Sequence, residues 1–124
     1  MKEETGVRNR EGSWLEKGFG KWVFLLTVLI EGVTCLFRFG LKLESTRDTA
    51  SWVAPLTFGL RIHHGYVGFL LCLVAMVLAK EENLRRAALL VGLPLVLSDL
   101  IHHFIVLWLV TGDPQFDLWY PTLP

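Results

Sequence analysis

The sequence predicts an all-α integral membrane protein with three transmembrane helices, the second and third folded as an antiparallel hairpin. Three observations lead there. Of 124 residues, 52 % are hydrophobic and only 19 % charged, with mean hydropathy +0.46, a balance too apolar for an ordinary soluble domain. The charges gather at the amino terminus, in the 42–48 segment and in the Lys80–Arg86 turn, leaving apolar runs of about span length between them. Two histidine pairs flank that turn symmetrically: His63 and His64 lie 20 and 19 residues before position 83, His102 and His103 lie 19 and 20 after it. Antiparallel helices rise equally per residue, so equal counts from a shared turn place all four imidazoles at one depth.

Residues 1–21 read as a polar cytoplasmic arm, with Trp14 and Trp22 suited to a membrane interface. The run 22–41 forms the first span, and no small-residue cleavage pattern follows it to suggest a removable signal peptide. After the polar 42–54 segment, Pro55 starts a second span over 55–79, with Ser51 or Thr49 as caps. Beyond the turn, a third span runs over 87–111 and stops at Gly112-Asp113-Pro114. The tail 112–124, carrying Phe116, Trp119 and Tyr120, is expected to lie along the interface, outside the 22–111 transmembrane domain.

Eight Lys and Arg residues fall on the side of the amino terminus and the 80–86 turn, against four in Arg38, Lys42, Arg47 and Arg61. The positive-inside rule then sets the amino terminus in the cytoplasm and the carboxy terminus outside, in a plasma or inner membrane. Zero net charge and the lack of a basic patch give no reason to invoke nucleic acid. The lipid bilayer is the expected partner, together with a second copy or a partner membrane subunit, because three helices of this length enclose little.

Ionisable residues inside apolar spans point to function. At 100° per residue, His64 shares a face with Arg61, Gly68, Cys72 and Ala75 and points inward, whereas His63 follows Val67, Leu70 and Val74 toward lipid or a neighbouring subunit. Asp99 precedes His102 by three residues and His103 by four, so it shares a face with either, and the Asp99–His103 combination is favoured. On the first span Thr27, Glu31, Thr34, Cys35 and Arg38 form a polar stripe, with Glu31 about 10 Å deeper than Arg38 and level with Asp99. The picture is a histidine layer above a carboxylate layer.

The chemistry this pattern fits best is a non-haem transition-metal site, redox or hydrolytic, holding zinc, iron, copper or manganese. Its candidate ligands are His63, His64, Asp99, His102, His103 and Glu31, with His64, His103, Asp99 and Glu31 at the centre. Glu31 and Asp99 are also the candidate catalytic, proton-transferring groups, and Arg38 and Arg61 the candidate binding groups for those carboxylates or for an anionic substrate or cofactor. An alternative is a b-type haem clamped between His64 and His103, with Gly65, Gly68 and Gly92 making room for the macrocycle. The run Arg61-Ile62-His63-His64-Gly65 resembles the haem-ligand helices of membrane cytochromes over that short segment. A third reading is a cofactor-free structural or regulatory membrane subunit, its polar residues bonding between helices at about 0.6 kcal/mol each. Cys35 and Cys72 read as small packing residues.

Overall fold

The computed structural model describes residues 13–120, and these are helical, with no strand among them beyond a single isolated bridge. Helix α1 (Ser13–Cys35) runs on through a π-helical turn, Leu36–Gly40. A second π turn (Ser45–Thr49) leads into α2 (Ala50–Leu56), followed by α3 (His64–Val77). Helix α4 (Glu82–Ile101) continues through a π segment, His102–Leu107, into α5 (Trp108–Thr111). Residues 1–12 of the expected cytoplasmic arm and 121–124 of the expected interfacial tail lie outside the described residues.

Two stretches are long and apolar enough to cross a membrane: Gly18–Gly40, with mean hydropathy 1.8 over its most apolar window, and Glu82–Thr111, with 1.9. Their 23 and 30 residues reach about 34 and 45 Å at 1.5 Å per residue, against a hydrocarbon core of ~30 Å.

Small residues set the packing of α3 on α4. A Cβ on Gly68 would lie 2.6 Å from the Gly92 carbonyl oxygen, and one on Gly92 would lie 2.7 Å from Cys72 Sγ. One on Gly65 would lie 2.5 Å from Asp99 Oδ2. Residue 65 meets 99 while 72 meets 92, so the two helices are antiparallel, with backbones closer than side chains would permit.

The second apolar arm differs most from expectation. It is not one helix over 55–79. Pro55 lies inside α2 rather than starting a span, and Phe58 (φ 56°) with Gly59 (φ 85°) turns the chain out of helical geometry before α3 begins. Holding the Phe58 backbone left-handed costs about 1–2 kcal/mol, so something must compensate. The carboxy-terminal tail supplies it: Arg61 N–H donates to the Leu118 carbonyl (2.9 Å) and Tyr120 N–H to the Gly59 carbonyl (2.8 Å). The tail turns back at Gly112 (φ 76°) and buries Tyr120 against Ala50 and Ala54. The hairpin turn is also tighter than Lys80–Arg86. Helix α4 already begins at Glu82, whose carboxylate sits in the first turn and accepts from Arg85 and Arg86.

The distribution of polarity is inverted relative to a water-soluble bundle. Among the described residues the buried polar side chains are Thr27, Arg61, His63, Ser98, Asp99, His102 and His103, beside the buried apolar Ala50, Ala54, Ala75, Leu107 and Tyr120, whereas Phe24, Leu29, Phe69 and Met76 are each more than 60 % exposed. In the loop between α1 and α2, hydrogen bonds from the Arg47 guanidinium and then the Glu44 backbone N–H hold the Asp48 carboxyl below the usual carboxylate range.

Candidate metal centre

Three elements converge on one point. His63 precedes α3 as its extended N-cap residue (φ −95°, ψ 144°), Asp99 projects from α4, and His103 from the π segment that continues it. All three side chains are at least nine-tenths buried. His63 Nδ1 and His103 Nε2 are 3.0 Å apart, and Asp99 Oδ1 lies 3.8 Å from the first and 3.7 Å from the second.

The outer nitrogens of both rings fix their tautomers. His63 Nε2 faces the Asp117 carbonyl at 3.2 Å and His103 Nδ1 faces the Pro114 carbonyl at 2.8 Å. A carbonyl only accepts, so each outer nitrogen carries a proton and donates it. In neutral rings the inner nitrogens are then two lone pairs facing one another, beside the buried carboxylate oxygen Asp99 Oδ1, which makes no hydrogen bond of good geometry although His64 Nδ1 lies 3.3 Å away. Such an arrangement is repulsive unless a positive charge occupies the middle. Metal–nitrogen bonds of ~2.0–2.1 Å set tetrahedral ligand atoms about 3.3 Å apart, and the observed separations bracket that spacing. The backbone carbonyls supply the outer-shell support that metal-bound histidines ordinarily have.

His64, expected at the centre, stands beside the set. Its Nε2 is 2.9 Å from Ser98 Oγ and its Nδ1 3.3 Å from Asp99 Oδ1, and its side chain is 32 % exposed. The ligand atoms of His63, Asp99 and His103 lie within 4.8 Å of one another, a group to which His64 does not belong. His63, expected to lean toward lipid or another subunit, is 5 % exposed and central. The reason is physical: α3 starts only at residue 64, so the 100° helical period does not apply to the extended residues 61–63. Phe116 from the tail stacks on His63 (4.5 Å between centroids) and meets His103 edge-on (5.2 Å).

Glu31 does not join Asp99 in a shared layer. It accepts through Oε1 from His102 Nδ1 (2.9 Å) and Cys35 Sγ (3.1 Å), so adjacent histidines of the π segment divide between two groups, His103 toward α3 and His102 toward α1. Arg38 and Arg61 do not pair with either buried carboxylate. Arg38 bonds Glu44 (2.8 Å) and Gln115 (2.9 Å); Arg61 bonds Ser45 (3.1 Å) and the Gln115 carbonyl (3.2 Å) and approaches Asp117 (3.6 Å). Both arginines line a cleft of about 200 Å³ with the four histidines and Asp99.

A haem does not fit this arrangement. The glycines that were to accommodate a macrocycle are filled by Asp99 and by the α3–α4 backbone contact, and His63 and His103 touch directly. Sequence reasoning missed the tail altogether as part of the site, although Pro114 and Asp117 contribute through backbone carbonyls that no side-chain pattern reveals. Comparison with known protein families, characterised proteins and solved structures gives no match for this chain.

Proposed function

We propose that this chain is a small helical membrane protein that binds a non-haem transition metal through His63, Asp99 and His103, with an open coordination position toward the cleft. The observation that carries the reading is the meeting of two imidazole nitrogens and the carboxylate oxygen Asp99 Oδ1 at one buried point, their ligand atoms within 4.8 Å of one another. Two imidazoles and one carboxylate suit zinc, iron, copper or manganese. When bound, a metal with an open position supplies Lewis acidity or a redox couple. His64, held by Ser98, is a positioning residue beside Asp99, and Phe116 screens the histidines from solvent. Arg38 and Arg61 give the cleft a cationic wall, and their carboxylate partners Glu44 and Asp117 are 42 % and 66 % exposed. A small anion entering the cleft can replace those exposed partners, which makes it the substrate class of choice.

The apolar exterior supports a bilayer as the surrounding solvent. In this reading α1 and α4 with its continuation cross the membrane, amino terminus in the cytoplasm, while α3, 14 residues or about 21 Å long, begins below the outer surface at the level of Asp99 and runs down to the cytoplasmic turn before Glu82. Irregular backbone at membrane depth is tolerated only where protein satisfies it, and the tail does this for residues 59–61.

Metal analysis and an optical spectrum of protein purified in detergent without chelators test the proposal. Bound metal without a Soret band is expected, with affinity lowered at least ~100-fold in Asp99→Asn, beyond the 10–100-fold usual for an outer-shell change. Metal-free protein that also fails to take up added zinc, cobalt, manganese or iron would leave a shared proton between His63 and His103 and the cofactor-free reading.

A further inference from the structure

We infer that Glu31, Cys35 and His102 form a second, separate cation site, selective for a borderline-soft divalent metal of the zinc type. It lies between α1 and the start of the π segment, and the ligand atoms of the three residues are within 4.8 Å of one another. Glu31 and Cys35 stand one turn apart on α1, where Cys35 Sγ is 3.1 Å from Glu31 Oε1, and His102 reaches across from the other helix to the same oxygen at 2.9 Å. Both donors thus crowd one carboxylate oxygen. The other, Oε2, is buried and has no hydrogen-bond partner. An unpaired carboxylate oxygen out of water is costly, and a cation beside it removes that cost.

Charge distinguishes this site from the first. A divalent ion with one carboxylate and one thiolate is electrically neutral, the state least penalised in a low-dielectric interior. Binding proceeds as M²⁺ plus the Cys35 thiol giving the metal–thiolate bond and one proton released to solvent, while the His102 proton moves from Nδ1 to Nε2 and leaves Nδ1 as ligand. The sulfur donor favours zinc, or cobalt as its spectroscopic substitute, over magnesium, calcium or manganese. Three protein ligands leave a fourth position open. The inference stands apart from the proposal for His63, Asp99 and His103, since the two sites share no residue.

Cobalt(II) titration of the full-length chain in detergent provides the test, because a thiolate–cobalt bond gives an intense near-ultraviolet charge-transfer band that imidazole and carboxylate ligands do not. The wild type should develop this band, Cys35→Ser should lose it, and Glu31→Gln, which keeps side-chain size, should weaken the corresponding affinity at least ~10-fold. Cys72→Ser should leave the band intact and so controls for the other thiol. Asp99→Asn should keep the band while losing the remaining, sulfur-free cobalt. Absence of the band in wild-type protein, or its persistence in Cys35→Ser, overturns the second site. A band present together with cobalt uptake unaffected by Asp99→Asn upholds the second site and overturns the first.

Discussion

At the level of single residues, the site depends on how closely neighbours approach Asp99. Gly65 is the most exposed to test: its Cβ would lie 2.8 Å from Asp99 Cβ and 2.5 Å from Oδ2, so Gly65→Ala must push the carboxylate away from the histidines. We expect a cost of about 1–3 kcal/mol, the usual range for overpacking, and metal affinity reduced at least ~10-fold, as for disturbed outer-shell support; thermal unfolding in detergent and a metal titration measure the two effects. Phe116→Ala removes the ring stacked on His63 but no ligand. Its expected signature is unchanged metal stoichiometry with affinity about 10-fold lower, and unchanged affinity would remove Phe116 from the site. The residue types at the centre were legible in the sequence, because histidines and carboxylates in apolar runs are conspicuous. His64 faces α4 as its helical face implies, but that His63 joins it in the interior was not legible, since that follows from where α3 begins.

Among the elements, the α3–α4 hairpin was the more readable, because equal spacing of the histidine pairs about a charged turn is a one-dimensional signal of antiparallel pairing. The break at residues 57–63 was not, because it is stabilised by hydrogen bonds to a tail some sixty residues further on, which local propensity does not register. Gly68 and Gly92 hold the hairpin through backbone contact. Gly92→Leu would drive a branched side chain into Cys72 and the Gly68 carbonyl and is expected to separate the helices, with loss of both cooperative unfolding and metal binding. Truncation after Thr111 tests the tail. Without the Pro114 and Asp117 carbonyls the two rings lose their fixed tautomers, so helicity by circular dichroism should persist while metal affinity falls at least ~10-fold. Retained affinity in the truncated chain would contradict the assignment of these carbonyls to the site.

For the whole molecule, the proposed bilayer setting gives a physical reason for the exposed leucines, valines and phenylalanines, which lipid would solvate, while the buried charges and imidazoles would satisfy one another or a bound cation. The orientation it implies is open to cysteine labelling in intact cells. In a Cys35→Ser/Cys72→Ser background, a membrane-impermeant reagent should modify Asp113→Cys from outside and reach Asn83→Cys only after permeabilisation. Equal labelling of both would exclude the crossing of α4. Burial of His63 within the chain removes the reason to place it at a subunit interface. The central claim, that the metal lies between the extended residue before α3 and the π segment after α4, is tested most directly by comparing metal binding in His63→Ala and His64→Ala. The account predicts that His63→Ala abolishes the sulfur-free site while His64→Ala keeps it with affinity reduced no more than ~100-fold; loss of that site in His64→Ala with retention in His63→Ala would contradict it.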